Sequence, residues 1–206
     1  MHPNPIFHGD DRAKALGFAQ WRGFGTLAVY GDPYPLTSHI PFRITQDGTA
    51  AELHLVRSNP IARIGDAVKA VLTVTGPDSY VSPDWYDMPD QVPTWNYVAI
   101  RITGTLIRLP DSELRRVIDE LTADFETRLL PKPVWKSQKM DDKALTGMMR
   151  AILPFQLQID GVDSTWKLNQ NKPASAIRGA IKGVAEHGIG SETKYLSRLM
   201  QQHLEE

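Results

Sequence analysis

The stretch LTSHIPFRIT at 36–45 constrains the fold more than any other part of this chain. Leu36, Ser38, Ile40, Phe42 and Ile44 alternate with Thr37, His39, Pro41, Arg43 and Thr45. A period of two places the mostly apolar set on one face and the mostly polar set on the other, which is a strand with one covered side. From 24 to 108 the pattern continues as short strands broken by turn clusters: GDPYP at 31–35, QDG at 46–48, GPDS at 76–79 and SPDWYDMPDQVP at 82–93. Strands at 49–56, near 72–75 (LTVT) and near 95–107 (WNYVAIRITGTLI) complete a set whose spacing fits a barrel or sandwich.

Helical spacing appears around this β body. Asp10 is placed to cap a helix running to about residue 22, with Ala13, Leu16 and Trp21 as inward candidates. Asn59 and Pro60 are placed to open a short helix to about residue 66. Asp111 is the expected cap of the clearest helix, whose stripe is Leu114, Val117, Ile118, Leu121 and Phe125. Beyond it come the loop LLPKPVWKSQ, a helix opened by Asp141, a strand FQLQI, a polar segment STWKLNQNKP and two helices split near 187–191. The expected class is α+β, mainly β with helices, divided near Pro173 into a body over 1–172 and a helical tail over 173–206.

Composition narrows the function. At 206 residues, 41% hydrophobic and a formal net charge of -1, the chain has the makings of one sizeable domain with a small appendage and no global field for polyanions. It has no cysteine, which removes disulfides, thiolate nucleophiles and thiolate-held metals. No signal peptide is read at the start and no run approaches the roughly 20 apolar residues that span a bilayer, so the expected location is cytoplasmic, with no membrane partner.

Several motifs carry chemistry or imitate it. GFGTLA at 23–28 matches the glycine-rich dinucleotide pattern, but it follows a helix and opens a strand, the reverse of the required context, so it is read as a structural turn. The histidines at 2, 8, 39, 54, 187 and 203 lack ligand spacing, and no metal site is expected. His39 and His54 each sit among polar neighbours on or near a strand, as hydrogen-bonded barrel residues or as ligand contacts. Arg57, Ser58 and Asn59, with Arg63 one turn on, form the best anion site in the chain: a helix start offers N–H groups, and two guanidiniums offer forked donors. Solvated arginines beside an ordinary cap are the other reading of the same residues. Tyr80, Trp85, Tyr86, Trp95 and Tyr97 lie close together among amides and hydroxyls, a mixture that roofs a core or stacks on a flat heterocycle with polar edges.

Taken together, the segments 37–42, 53–63, 76–86 (GPDSYVSPDWY), 92–97 (VPTWNY) and 167–172 (KLNQNK) fall in the order and spacing of the PaiB family. The chain resembles these FMN-binding negative transcriptional regulators over nearly its whole length. The resemblance implies a split β-barrel related to pyridoxine-phosphate oxidases, and a homodimer with FMN at the subunit interface. It places the FMN phosphate near Arg57, Ser58, Asn59 and Arg63, and the isoalloxazine edge near Thr37, Ser38 and His39. Trp85, Trp95 and Asn96, with Gln170 and Asn171 from the second subunit, complete the pocket.

Two positions depart from the family pattern: Asp78 stands where the resemblance leads one to expect histidine, and Asn169 where serine is usual. The function implied is that of a flavin-binding regulator, with an FMN-dependent oxidoreductase acting on a small molecule as the alternative and a dimer that has lost its cofactor as the plainest reading. No acid–base pair stands out as catalytic. No helix-turn-helix with a basic recognition face is evident, since Arg178, Lys182, Lys194 and Arg198 in the tail are accompanied by Glu186, Glu192, Glu205 and Glu206. DNA is therefore a possible partner that the residues do not reveal.

Overall fold

The structure, a computed structural model, describes residues 2–65 and 67–205, so the expected helix end at Asp66 lies outside the described residues. A two-residue strand β1 (His8–Gly9) precedes helix α1 (Arg12–Arg22). Five strands follow: β2 (Phe24–Val29), β3 (Leu36–Ile44), β4 (Ala50–Val56), β5 (Ala67–Val81) and β6 (Thr94–Arg108). Helices α2 (Leu114–Thr127) and α3 (Asp142–Met149), strand β7 (Ile152–Lys167), and helices α4 (Ala174–His187) and α5 (Thr193–Glu205) complete the order. The α+β class expected from the pattern is the one that forms.

The chain makes two compact units. The first, Leu16–Val74 with Arg101–Val162, is a closed antiparallel barrel of six strands in the order β7-β4-β3-β2-β5-β6, with β6 returning to β7. Closure removes the open edges that would otherwise invite pairing with other chains. The alternation in β3 is realised as read: Ile40, Phe42 and Ile44 are buried, and so are Leu53 and Leu55 on β4, with Phe42 opposite Leu53. Burying each such side chain contributes roughly 1.5–3 kcal/mol before entropy is counted.

Helix α2 turns Leu114, Val117 and Leu121 inward. It also supplies Arg116, which binds the nearly buried Glu52 of β4 (Nη2 to Oε1, 2.6 Å), while Arg43 of β3 binds the other oxygen at 2.9 Å. Burial pushes the Glu52 carboxyl up, but hydrogen bonds and charge from Arg116 and then Arg43 outweigh it and hold the group below its ordinary value. GFGTLA is the structural turn expected. Gly23 ends α1 at φ +58, its N–H bonds the Ala19 carbonyl at 2.8 Å, and a Cβ there would sit 2.7 Å from the Phe125 ring.

Two expected caps differ. Asp11, not Asp10, caps α1, accepting from the Lys14 N–H at 2.9 Å, and the buried stripe is Ala15, Leu16, Phe18 and Ala19, with Ala13 and Trp21 exposed. Asp111 opens a 3₁₀ turn (Asp111–Glu113) without capping α2, because Arg108 and Arg57 take its carboxylate at 3.0 and 3.3 Å. Asp141 does cap α3, accepting from the Lys143 and Ala144 N–H groups.

The second unit comprises 2–15, Thr75–Ile100 and 163–205, so the helices after Pro173 belong with the distal part of β5 and the start of β6. The expected GPDS turn is absent: β5 runs straight through it to Val81. Pro77 lacks an N–H, and a strand accommodates that where its neighbour is a loop. Here Asp78 N and Tyr80 N bond the carbonyls of Ser191 and Ile189 at 3.0 and 2.8 Å. The strand read at FQLQI is longer than expected: β7 continues through STWK, the start of the polar segment, to Lys167. Helices α4 and α5 pack through Ala176, Ala180 and Val184 on one side and Leu196 and Met200 on the other, all completely buried. No helix among the described residues is long and apolar enough to cross a membrane.

Candidate functional site

In the barrel unit the hairpin of β2 and β3 sets the first group of candidates. With the loop centred near residues 32–33, Thr26 falls opposite His39 and Ala28 opposite Thr37. His39 is exposed; its Nδ1 lies 3.0 Å from the Thr26 hydroxyl and its ring stacks with Phe24 at 6.4 Å between centroids. Thr37 is exposed on the same face, while Ser38 points to the opposite side, toward the turn that follows β4. The Asn59 Nδ2 donates to Ser38 Oγ at 2.9 Å, and its Oδ1 accepts from Ile61 N at 2.9 Å. Both ends of that amide are committed to shaping the turn.

The helix expected after Asn59 is a four-residue 3₁₀ turn, Pro60–Arg63. So short an element carries little dipole, and its first available N–H already serves Asn59, so anion binding here rests on side chains. Those side chains suit it. Ser58, Arg57 and Arg63 are exposed; Arg57 Nε donates to the Arg150 carbonyl at 2.6 Å, Arg57 Nη2 to Asp111 at 3.3 Å, and Arg63 Nε to the Arg57 carbonyl at 3.3 Å. Two guanidiniums and a hydroxyl on one tight turn are a donor set that fits a phosphate monoester. His54, the other weighed histidine, lies on β4 with Nδ1 buried and unpartnered, and burial holds the imidazole below its usual value. It is a packed neutral side chain rather than an exposed contact.

The second unit gathers the aromatic motifs. Tyr86 donates to Asn169 Oδ1 at 3.3 Å, Lys172 lies 5.1 Å from the Tyr86 ring centroid and bonds Gln91, and Lys167 donates to Thr94 Oγ1 at 2.5 Å. Three segments far apart in sequence thus meet: GPDSYVSPDWY, VPTWNY and KLNQNK. Within VPTWNY the strand alternation separates the pair. Trp95 is 46% exposed with its ring edge-on to Tyr80, whereas Asn96 is fully buried with Nδ2 3.6 Å from the Met200 sulfur and no donor for its Oδ1 among the described residues. Trp85 lies against α4, its indole where a Cβ on Gly183 would fall. Gln170 is used locally, accepting from Leu168 N at 2.7 Å and donating to the Trp166 carbonyl, and Asn171 is exposed.

The two departures acquire structural roles. The Asp78 carboxylate accepts from Ser191 N at 2.9 Å and so pins the loop between α4 and α5. Asn169 adopts φ +70, a left-handed conformation that asparagine tolerates better than serine. The sequence does not mark Thr26, Lys167, Lys172 or Asp111 as site residues: Asp111 reads as a helix cap, and the two lysines only as part of KLNQNK. Thr26 was within reach, since a hairpin centred between Asp32 and Pro33 pairs it with His39; Asp111 and Arg57 are 54 residues apart with no shared pattern. Among the described residues no group of three or more histidine or acidic side chains is placed to hold a metal ion.

The comparisons bear on the family and the fold. The chain is 26% identical over 207 residues to the protease synthase and sporulation protein PAI 2 of Bacillus subtilis, covering 99% of this chain and 98% of that protein. Its fold matches that of an FAD- and heme-binding protein from Mycobacterium smegmatis (TM-score 0.58, 18% identity, 90% of this chain and 82% of that one). It also matches the flavocytochrome Anf3 from Azotobacter vinelandii (TM-score 0.55, 13% identity, 81% and 72%). The likeness to these two structures is one of fold, a closed split barrel with packed helices. The family model described as "Putative FMN-binding domain" matches residues 1–161, and the chain belongs to that family, with PaiB among its relatives.

Proposed function

We propose that this protein binds FMN as a cytoplasmic homodimer and acts as a negative transcriptional regulator of the PaiB type. The observation that carries the flavin reading is the Asn59 to Ser38 hydrogen bond of 2.9 Å, which fixes the turn bearing Arg57, Ser58 and Arg63 beside β3. In this reading Arg57, Ser58 and Arg63 hold the phosphate through charge-assisted bonds of roughly 1.5–3 kcal/mol each, and Asn59 holds the turn. Thr37 and His39 line the ring edge while Ser38 anchors the turn, and Trp85 and Trp95, together with Gln170 and Asn171 from a second subunit, complete the pocket, with the buried Asn96 supporting that wall. FMN, when bound, supplies the redox chemistry. The regulatory part of the reading is supported by similarity to PAI 2 across nearly the full length of both chains.

Titration of the purified protein with FMN, followed by flavin absorbance and fluorescence quenching, tests the binding. Uptake that is weakened by Arg57→Ala supports it, and protein that ignores FMN removes it. Light scattering reports the dimer. A salt-sensitive, sequence-selective shift of promoter DNA supports regulation, whereas NADH- or NADPH-driven turnover without DNA binding replaces it with the oxidoreductase.

A further inference from the structure

Arg57 is held from several directions. Its N–H bonds the Ala151 carbonyl at 2.8 Å, its carbonyl accepts from Arg63 Nε at 3.3 Å, and its Nε and Nη2 are taken by the Arg150 carbonyl at 2.6 Å and Asp111 Oδ2 at 3.3 Å. A guanidinium has five N–H donors in a fixed plane, so two anchors on adjacent nitrogens fix its orientation. Nη1 has no partner among the described residues and the side chain is 46% exposed, so the Nη1–Nη2 end of the fork retains donors for an anion. Asp111 is itself held by Arg108 through its other oxygen at 3.0 Å, so its position does not depend on Arg57 alone.

We propose that Asp111 is a positioning residue for the anion site: it aims Arg57 so that a phosphate is met end-on by a pre-ordered guanidinium. This rests on the flavin-phosphate reading above and adds to it a residue with no contact to the ligand. A long flexible side chain left unanchored must be ordered by the phosphate itself, and anchoring it beforehand spares that ordering. Among the described residues bonded at this corner, Arg57, Arg63 and Arg108 outnumber the Asp111 carboxylate, so their summed charge stays positive with Asp111 in place. The contact is exposed on both sides, 46% and 57%, which makes the expected effect modest.

The test is a set of fluorescence titrations with FMN and with riboflavin, which lacks the phosphate. Asp111→Asn is expected to weaken FMN binding roughly two- to fivefold, the range an exposed ion pair supports, and to leave riboflavin unchanged. Asp111→Glu is expected to restore most of the loss, and Asp111→Asn added to Arg57→Ala should have no further effect, since a residue acting through Arg57 has nothing left to position. FMN affinity that is unchanged or tighter in Asp111→Asn overturns the proposal, as does an equal loss for both flavins or in the Arg57→Ala background. Wild-type protein that takes up riboflavin as well as FMN shows that the phosphate lies elsewhere and removes the Asp111 role while sparing the flavin. Wild-type protein that takes up neither overturns both readings.

Discussion

Asn59 and Ser38 are joined side chain to side chain at 2.9 Å across 21 residues of sequence, the amide of one spanning to the hydroxyl of the other. The same amide caps Ile61 at 2.9 Å, so one side chain ties the turn after β4 to β3 and also orders that turn. Replacing Asn59 with Ala should cost about 1 kcal/mol of stability, in the range of lost caps, and should weaken FMN binding. Asp at this position keeps the acceptor for Ile61 and loses the donor to Ser38. Its urea midpoint should therefore fall between those of the wild type and Asn59→Ala; a midpoint equal to that of Ala would mean that the cap contributes nothing.

The Glu52 carboxylate, fixed by Arg116 and Arg43, ties α2 to the barrel. Glu52→Ala removes the more buried of the two carboxylates that Arg43 and Arg116 share, leaving them Glu120, and should cost about 1–3 kcal/mol, less than a fully buried pair because Arg116 is 40% exposed and partly screened. The carboxyl is held below its ordinary value of 4.5, so its contribution is fully present above that pH and is lost as pH falls through the lower folded-state value. Acid unfolding monitored by circular dichroism should be less steep below pH 4.5 in Glu52→Gln than in the wild type. Parallel acid limbs would show that the network is not linked to protons.

His54 titrates in a separate window. Its imidazole is held below 6.5 by burial, so between the folded value and 6.5 the unfolded chain binds more protons than the folded one. Stability from the neutral ring is complete above pH 6.5 and declines as pH falls below it, toward the folded value. His54→Gln should remove the difference in urea midpoint between pH 7.5 and pH 5.5, while the Glu52 window, which lies lower, is untouched. A variant that retains the full difference would assign it to another group.

Gly183 on α4 meets the Trp85 indole, and a Cβ at that position would overlap the ring. Gly183→Ala should therefore destabilise by about 1–3 kcal/mol despite alanine's better helix propensity, because the indole must move. Emission that shifts to the red in Gly183→Ala but not in a Gly183→Ala, Trp85→Phe double variant would place the displaced ring. A stabilised Gly183→Ala protein would show that α4 has room to give.

Some of this was legible along the chain because it depends on local rules. The period of two at 36–45 made β3 a half-covered strand wherever it paired, and the period near 3.6 in α2 put Leu114, Val117 and Leu121 on one side. The Asp141 cap, the Gly23 turn and the division of the last helices near 187–191 rest on the chemistry of a few adjacent residues and appeared where expected. Asp10 and Asp111 failed as caps for related reasons. In the first case the neighbouring Asp11 serves equally well by local rules, and in the second a carboxylate is drawn to arginines that only folding brings near.

What tertiary structure alone decided is which candidates meet. The sequence marked Arg57, Ser58, Asn59 and Arg63 as an anion site by a helix start, yet the element is a single 3₁₀ turn, and Ser38, Asp111 and the Arg150 carbonyl define its geometry. GPDS carried turn chemistry, but the loop at 189–191 gave its backbone partners and kept it a strand. Trp95 and Asn96 are neighbours in sequence with similar mixed chemistry, and strand alternation sends one toward solvent and seals the other against Met200. Residue types and spacing fix local conformation because its range is a few residues. Hydrogen-bond partners tens of residues away are chosen by the closure of the barrel and by helix packing, which no local pattern encodes.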